Sequence, residues 1–287
     1  MPTVAATAIC IPSPMTAETR SVTPQNAEPP DAGPTGELRV RAERKGSRTA
    51  VVDAYRTAPF HLGLPSDRTG DGSAELIVQG VGPGYLPGDR LAIAISVGAG
   101  AALVVRGQGA TKAYPSPNGV PATVDVSLTV AHDARLVYLP GELIPFQQAV
   151  LEQTTAITVA HGGMLALGEI LTPGRVAMGE INLFTRLHLD IEARLAGRLC
   201  LVERARLEPA QRPLTSPARH GTRPVAGTLI LIGQGWQPPT SPGIPEAITW
   251  AAAEGDGYTL VRLLGKTTQA IASAMRSAIG CGDRADQ

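Results

Sequence analysis

The chain has 287 residues, with 25 Lys plus Arg balanced by 25 Asp plus Glu, so its formal net charge is zero. That balance gives no support for nucleic acid or an anionic membrane as a partner. Aromatics make up only 3%, against 32 glycines and 25 prolines, the composition of many short strands and tight turns packed through small side chains.

Taken in chain order, residues 1–36 come first as a Pro/Ala-rich segment with Pro12, Pro14, Pro24, Pro29, Pro30 and Pro34. It has few large apolar side chains to repay the entropy of ordering, and it is expected to be a disordered tail. It lacks the basic-then-apolar pattern of a secretory signal. No apolar run approaches the roughly 20 residues of a membrane span. The cysteines, Cys10, Cys200 and Cys281, are odd in number and far apart. They imply no disulfide framework and no paired-cysteine zinc site, and the cytosol is the expected location.

From Glu37 to the C-terminus a single domain is expected, mainly β up to about residue 235. Leu91, Ile93, Ile95 and Val97 alternate with small or polar residues, as do Val124, Val126, Leu128 and Val130, and around Leu183–Ile191 the pattern is similar. Period-2 alternation places one apolar face inward and one polar face outward. A loose repeat runs through Val97–Leu103, Val130–Leu136 and Val159–Leu165, with Ile191–Leu199 as a fourth copy. A spacing near thirty residues falls in the roughly 20–50 residue window of stacked architectures. The expected fold is a β-helix-like stack of short strands. A β-sandwich whose hairpins share turn chemistry is the competing architecture. Loops are expected at 209–217 and 236–245. Over 246–280 the spacing of Leu260, Leu263, Leu264, Ile271, Met275 and Ile279 suggests a helical region, interrupted near Gly265.

Several clusters could carry chemistry, and each has a plainer reading. The glycine-rich turn Gly80–Asp89 has no Walker A match, so nucleotide binding is not expected; Asp89 should hydrogen-bond turn amides. Lys112 and Tyr114 follow in a strand or turn, where Lys112 is read as a partner contact and not as a desolvated nucleophile. Leu139–Gln147 reads either as an exposed contact loop carrying Glu142 and tipped by Phe146, or as a corner with Phe146 in the core. Glu169 and Glu180 bracket Arg175 across a Pro-Gly turn. They could be an acid–base pair of a hydrolase, transient oxygen ligands for a divalent cation, or one member of a plain Glu–Arg pair. The five histidines show no HxH, HxxxH or HExxH spacing. His132 and His161 occupy equivalent repeat positions and make a weak metal pair, or simply turn residues.

These residues together resemble one family. Gly84–Arg90 is similar to the GG-L-x-GDR turn of the UreD (UreH) urease accessory proteins, and Gln108–Tyr114 to their TQ-x-ATK-x-Y strand. Leu139–Phe146 resembles their LPQPTIPF-like segment, and Gly168–Glu180 their GxE-x-x-x-x-GR-x-x-x-GE stretch. Arg198–Leu207 and Pro224–Leu229 resemble their VERxRL and V-x-GTL strands. The chain departs from the pattern at Gln79, Val81, Pro83, Gly109 and Glu142. The resemblance implies a non-enzymatic scaffold, β-helix-like, with no tightly bound cofactor. It implies docking on apo-urease beside a helical UreF-like protein and a UreG-like GTPase, with nickel in transit to the urease active site. It further implies that Leu260–Ile279 meets the helical partner. A β-repeat binding module without a metal role and a carboxylate-dependent hydrolase are the other classes of function that the residues allow.

Overall fold

A computed structural model describes residues 33–67, 70–216, 219–236 and 248–280. The expected tail 1–36 therefore lies outside the described residues up to 32. At its other end the first strand already begins at Gly36, and the Thr35 hydroxyl and amide both donate to the Arg90 carbonyl. In chain order the strands are β1 (Gly36–Lys45), β2 (Arg48–Arg56), β3 (Phe60–Leu62), β4 (Ala74–Gly80), β5 (Arg90–Val97) and β6 (Ala102–Gly107). Next come β7 (Thr111–Ala113), β8 (Ala122–Val130), β9 (Arg135–Pro145), β10 (Val150–Val159) and β11 (Met164–Leu171). The chain then runs through β12 (Arg186–Leu195), β13 (Arg198–Leu207), β14 (Val225–Ile232), β15 (Thr249–Gly255), β16 (Tyr258–Gly265) and helix α1 (Thr268–Ala278).

The architecture is a β-solenoid of about four turns. One sheet runs β13-β12-β10-β8-β5-β1-β2 and the facing sheet β15-β16-β14-β11-β9-β6-β4-β3. From β4 to β12 the chain alternates between the sheets, so each coil adds one parallel strand to each. The repeat marks the corners of these coils. Val97 sits beside Val130 and Val130 beside Val159, while Leu103, Leu136 and Leu165 stack in the facing sheet. Each corner turns through a left-handed residue, Gly100, Asp133 or Gly162, which only glycine, or an Asp bonding locally, adopts cheaply. The fourth copy is displaced from its expected place. Val159 pairs with Leu195 and not with Ile191, and the chain there makes a hairpin into β13 through Ala196 and Gly197, both at positive φ. That hairpin ends the parallel stack, as the β1–β2 hairpin does at the other end.

The interior between the sheets is filled by the alternating side chains, including Leu38, Leu91, Ile95, Leu128, Leu136 and Leu151. A second apolar cluster lies on the outer side of β11, β14 and β16. There Ile271, Ala274, Met275 and Ile279 of the helical end pack on Ala166, Leu229 and Leu263. This corrects the expected helical region 246–280. Residues 249–265 form a strand pair, and Leu260, Leu263 and Leu264 are strand residues. Strand residues two apart and helix residues three or four apart coincide over so short a stretch. The helix starts only after Thr267, whose side chain caps it by accepting from the Ala270 amide at 3.3 Å.

Candidate functional site

The apolar interior turns polar toward the last coils. On β11 the inward series is Leu165, Leu167, Glu169, Leu171; a carboxylate stands where the pattern calls for an aliphatic side chain. On β10 it is Leu151, Gln153, Thr155, Ile157, on β14 Ala226, Thr228, Ile230, and on β16 Leu260, Arg262, Leu264. Of these polar residues Gln153, Glu169, Thr228 and Arg262, together with Glu142, line a cavity of 160 Å³ whose wall also includes Tyr85, Thr111, Gly141 and His220. A second cavity of 430 Å³ shares Tyr85, Thr111 and Pro140 with it. It lies under the glycine-rich turn, with Lys112, Gln108 and Tyr138 in its wall.

A backbone irregularity accompanies the first cavity. Tyr138 pairs with Leu167, but Gly141 pairs with Glu169, so β9 carries one extra residue at Leu139–Pro140. The bulged Pro140 carbonyl would lie 2.1 Å from a Cβ at position 107, which accounts for Gly107 in the neighbouring coil. Gly141, at φ +95°, sets no side chain beside Glu169.

Glu169 accepts a hydrogen bond from Gln153 Nε2 at 2.7 Å. Burial pushes its pKa upward, while the Gln153 bond and the nearby Arg262 charge oppose the rise. Arg262 itself is held by Glu203 at 2.5 Å and by the Thr228 hydroxyl. Tyr85 is pushed up to about 12 by burial despite its bond to Thr111. Tyr138 is raised further, by burial first and then by Tyr85 and Glu169. The site thus joins a desolvated carboxylate to neutral phenols and amides, a set of oxygen groups with no closed metal geometry. Among the described residues no three His, Cys, Asp or Glu side chains converge on one point.

A separate cluster gathers four other predicted residues. Phe146 is buried, its ring 4.8 Å from that of Tyr114, with the Arg175 guanidinium over it, 4.1 Å from the ring centroid. Arg175 grips both oxygens of Glu180, through Nε at 2.8 Å and through Nη2, and Glu180 also accepts from the Gln147 amide at 3.2 Å. The Arg175 bond is the main reason that the Glu180 pKa lies below the ordinary carboxylate value. The turn that this pair closes exposes Val176, Met178, Ile181 and Leu183.

The predicted residues therefore separate. Leu139–Pro145 is strand, not an exposed loop, and Phe146 belongs to the core. Glu169 and Glu142 line the cavity, whereas Glu180 binds Arg175, so the two carboxylates of a hydrolase are not brought together. Asp89 accepts from the Leu86 amide at 2.8 Å, as its turn position suggested. Lys112 is exposed at the second cavity, with its carbonyl receiving the Tyr85 amide at 2.8 Å. His132 and His161 sit at stacked corners, His132 largely exposed beside Asp133. Sequence reasoning missed Gln153, Thr228, Arg262 and the two tyrosines. Polar residues in the inward phase of otherwise aliphatic strands were the available signal for the first three.

The sequence profile described as UreD urease accessory protein matches residues 34–285, nearly the whole chain. The chain belongs to the UreD family. It is 32% identical over 249 residues to the urease accessory protein UreD of Cupriavidus necator, covering 83% of this chain and 85% of that one. The UreD of Opitutus terrae is 34% identical over 223 residues, covering 76% and 77%. That of Beijerinckia indica is 29% identical over 257 residues, covering 85% and 92%. UreD proteins are non-catalytic accessory proteins with a part in urease maturation. Among the described residues no helix is long and apolar enough to cross a membrane.

Proposed function

We propose that this chain is a maturation scaffold of the cytosol. It docks on apo-urease with a helical accessory protein and a GTPase, and nickel released by the GTPase crosses its interior on the way to the urease active site. The observation that supports this most is Glu169, a half-buried carboxylate in the inward phase of β11, in the wall of a cavity that a folding-only role does not require. A conduit must hold its cargo weakly enough to let go, and scattered oxygen donors meet that requirement better than a closed tetrahedral site. Nickel is cargo here and not a resident cofactor.

Docking is assigned to the turn Arg175–Leu183. Its four apolar side chains are held out by the Arg175–Glu180 pair, which fixes the turn before a partner arrives. The helical end is a poorer docking element than its sequence suggests. Ile271, Ala274 and Met275 are spent on the chain's own sheet, leaving Gln269, Ser273 and Ser277 outward.

The test is co-expression of urease subunits and the other accessory proteins with and without this chain, scoring urease activity and bound nickel. Loss of both on omission, with partial loss in Glu169→Gln, is the expected result. Full nickel content without the chain would overturn the proposal and leave a β-repeat binding module in its place.

A further inference from the structure

The path of each sheet ends in two edge strands, β2 and β13 in one sheet, β3 and β15 in the other. An edge strand offers unpaired N–H and C=O groups to any extended chain, and folds blunt such edges with charges, bulges or short length. Three of these four are blunted. β2 carries Arg48, Asp53 and Arg56 and takes an extra residue at Val52. β13 carries Arg198, Glu203, Arg204 and Arg206 and takes an extra residue at Cys200. β3 is three residues long. β15 has none of these devices beyond Glu254. It runs for seven residues in unbroken register with β16, and its successive alanines, Ala251, Ala252 and Ala253, are exposed. Alanine is a poor strand former, so pairing holds this strand more than its side chains do. Among the described residues nothing hydrogen-bonds to the outer edge of β15.

We propose that β15 is a strand-addition site: an extended segment of another protein pairs along its open edge and lengthens the sheet. This goes beyond the conduit reading and does not depend on it. The register fixes which side chains such a segment meets. Trp250, Ala252 and Glu254 pair with Leu263, Val261 and Thr259, so they share the face on which the helix cluster lies. Thr249, Ala251, Ala253 and Gly255 take the other face and offer little to read. On the first face an added strand continues the cluster past Trp250, and bulky apolar side chains fill the space that Ala252 leaves. Glu254 is the only charge on the strand, so the position beside it calls for Lys or Arg. The partner segment therefore reads apolar, any, apolar, any, basic, in one chain direction or the other. A second copy of this chain is a poor occupant. Antiparallel self-pairing about Ala252 sets alanine against alanine and Trp250 opposite Glu254. A strand pair of seven residues also falls short of the roughly 1,200 Å² from which stable interfaces start.

The probe is a fluorescein-labelled synthetic peptide of about ten residues. It alternates threonine with phenylalanine, isoleucine and lysine, and is made in both directions beside a scrambled peptide of the same composition. Binding to the full chain is read by fluorescence anisotropy, and backbone amide exchange over 249–255 is followed with and without peptide. The expected result is that one direction binds about tenfold or more tightly than the scramble and slows exchange over 249–255. Ala252→Lys, which gives β15 the protection of an ordinary edge, should weaken that binding about tenfold, and Glu254→Lys about fivefold. Should Ala252→Lys not fold, Glu254→Lys, at the exposed end of the strand, carries the test. Equal affinity for the scramble, or binding that neither variant moves, overturns the proposal. So does exchange over 249–255 that is already as slow in the free chain as in β16, since the edge would then be covered. Dimers in sedimentation that Ala252→Lys abolishes would give the edge to a second copy and overturn it as well.

Discussion

Replacing Ile271 with alanine separates a helix that belongs to the fold from one that waits for a partner. Ile271 is 0% exposed, and its Cγ2 would lie 2.6 Å from a Cβ built on Gly227, so helix and strand touch without slack. The substitution deletes three carbons beyond Cβ, about 2.4 kcal/mol at roughly 0.8 kcal/mol per buried CH₂. The void left behind adds to this, and the sum falls near 3 to 4 kcal/mol, inside the roughly 2–5 kcal/mol range of such truncations. The assay is urea unfolding of the full chain followed by the signal of Trp236 and Trp250, both packed against this cluster. Ser273→Ala, on the exposed side of α1, serves as control and should stay within about 0.5 kcal/mol of wild type. A loss under about 1 kcal/mol for Ile271→Ala, coupled to weaker binding of a helical partner, would refute the packing argument. It would mean that the apolar stripe is available to other proteins after all.

Glu169→Gln should stabilise the fold above the acid range. The wild-type carboxyl has a folded pKa above its ordinary value of 4.5, so the folded state holds the proton longer and wild-type stability falls as pH rises from 4.5 through the folded pKa. The variant has no such loss, and thermal melts from pH 4 to 8 should show its advantage growing with pH; a flat difference would contradict the burial argument. Glu180→Gln should behave oppositely. Its folded pKa is depressed, so the Arg175 pair contributes above 4.5 and is lost as pH falls through the folded pKa. The variant should therefore be less stable than wild type at pH 7 and match it in strong acid. Gly84→Ala puts a Cβ 2.3 Å from the Lys112 carbonyl at a φ of +140°. Unfolding titrations should register a cost above about 1 kcal/mol, and a neutral result would mean that the turn can move.

The stack was legible because alternation and corner spacing are local properties. Val97, Val130 and Val159 mark equivalent corners in the sequence and lie side by side in the sheet. The fourth corner was misplaced because Leu195, not Ile191, continues the column, and only the hairpin at Ala196–Gly197 reveals that the stack stops there. The helical end was overextended because Leu260, Leu263 and Leu264 satisfy helix spacing as readily as strand spacing. As for the site, Glu169 stood out in the sequence, but its supposed companion Glu180 did not join it. The Arg175 five residues earlier claims Glu180, and no local pattern says which of two carboxylates an arginine will choose. Gln153, Arg262 and His220 arrive from three distant segments, and only the closing of the stack makes them neighbours.

The extra residue at Leu139–Pro140 gives the hollow an unusual kind of permanence. The space beside Glu169 is shaped by main chain, through a bulged carbonyl and a residue without a side chain, and not by the trimming of neighbouring groups. Point changes among the lining residues can therefore retune its charge and ligand preference while leaving it open. Sealing it would take a shift in strand length, which would also turn Glu142 and every later β9 side chain to the opposite face. The hollow is thus written into strand length, and its chemistry into the side chains around it.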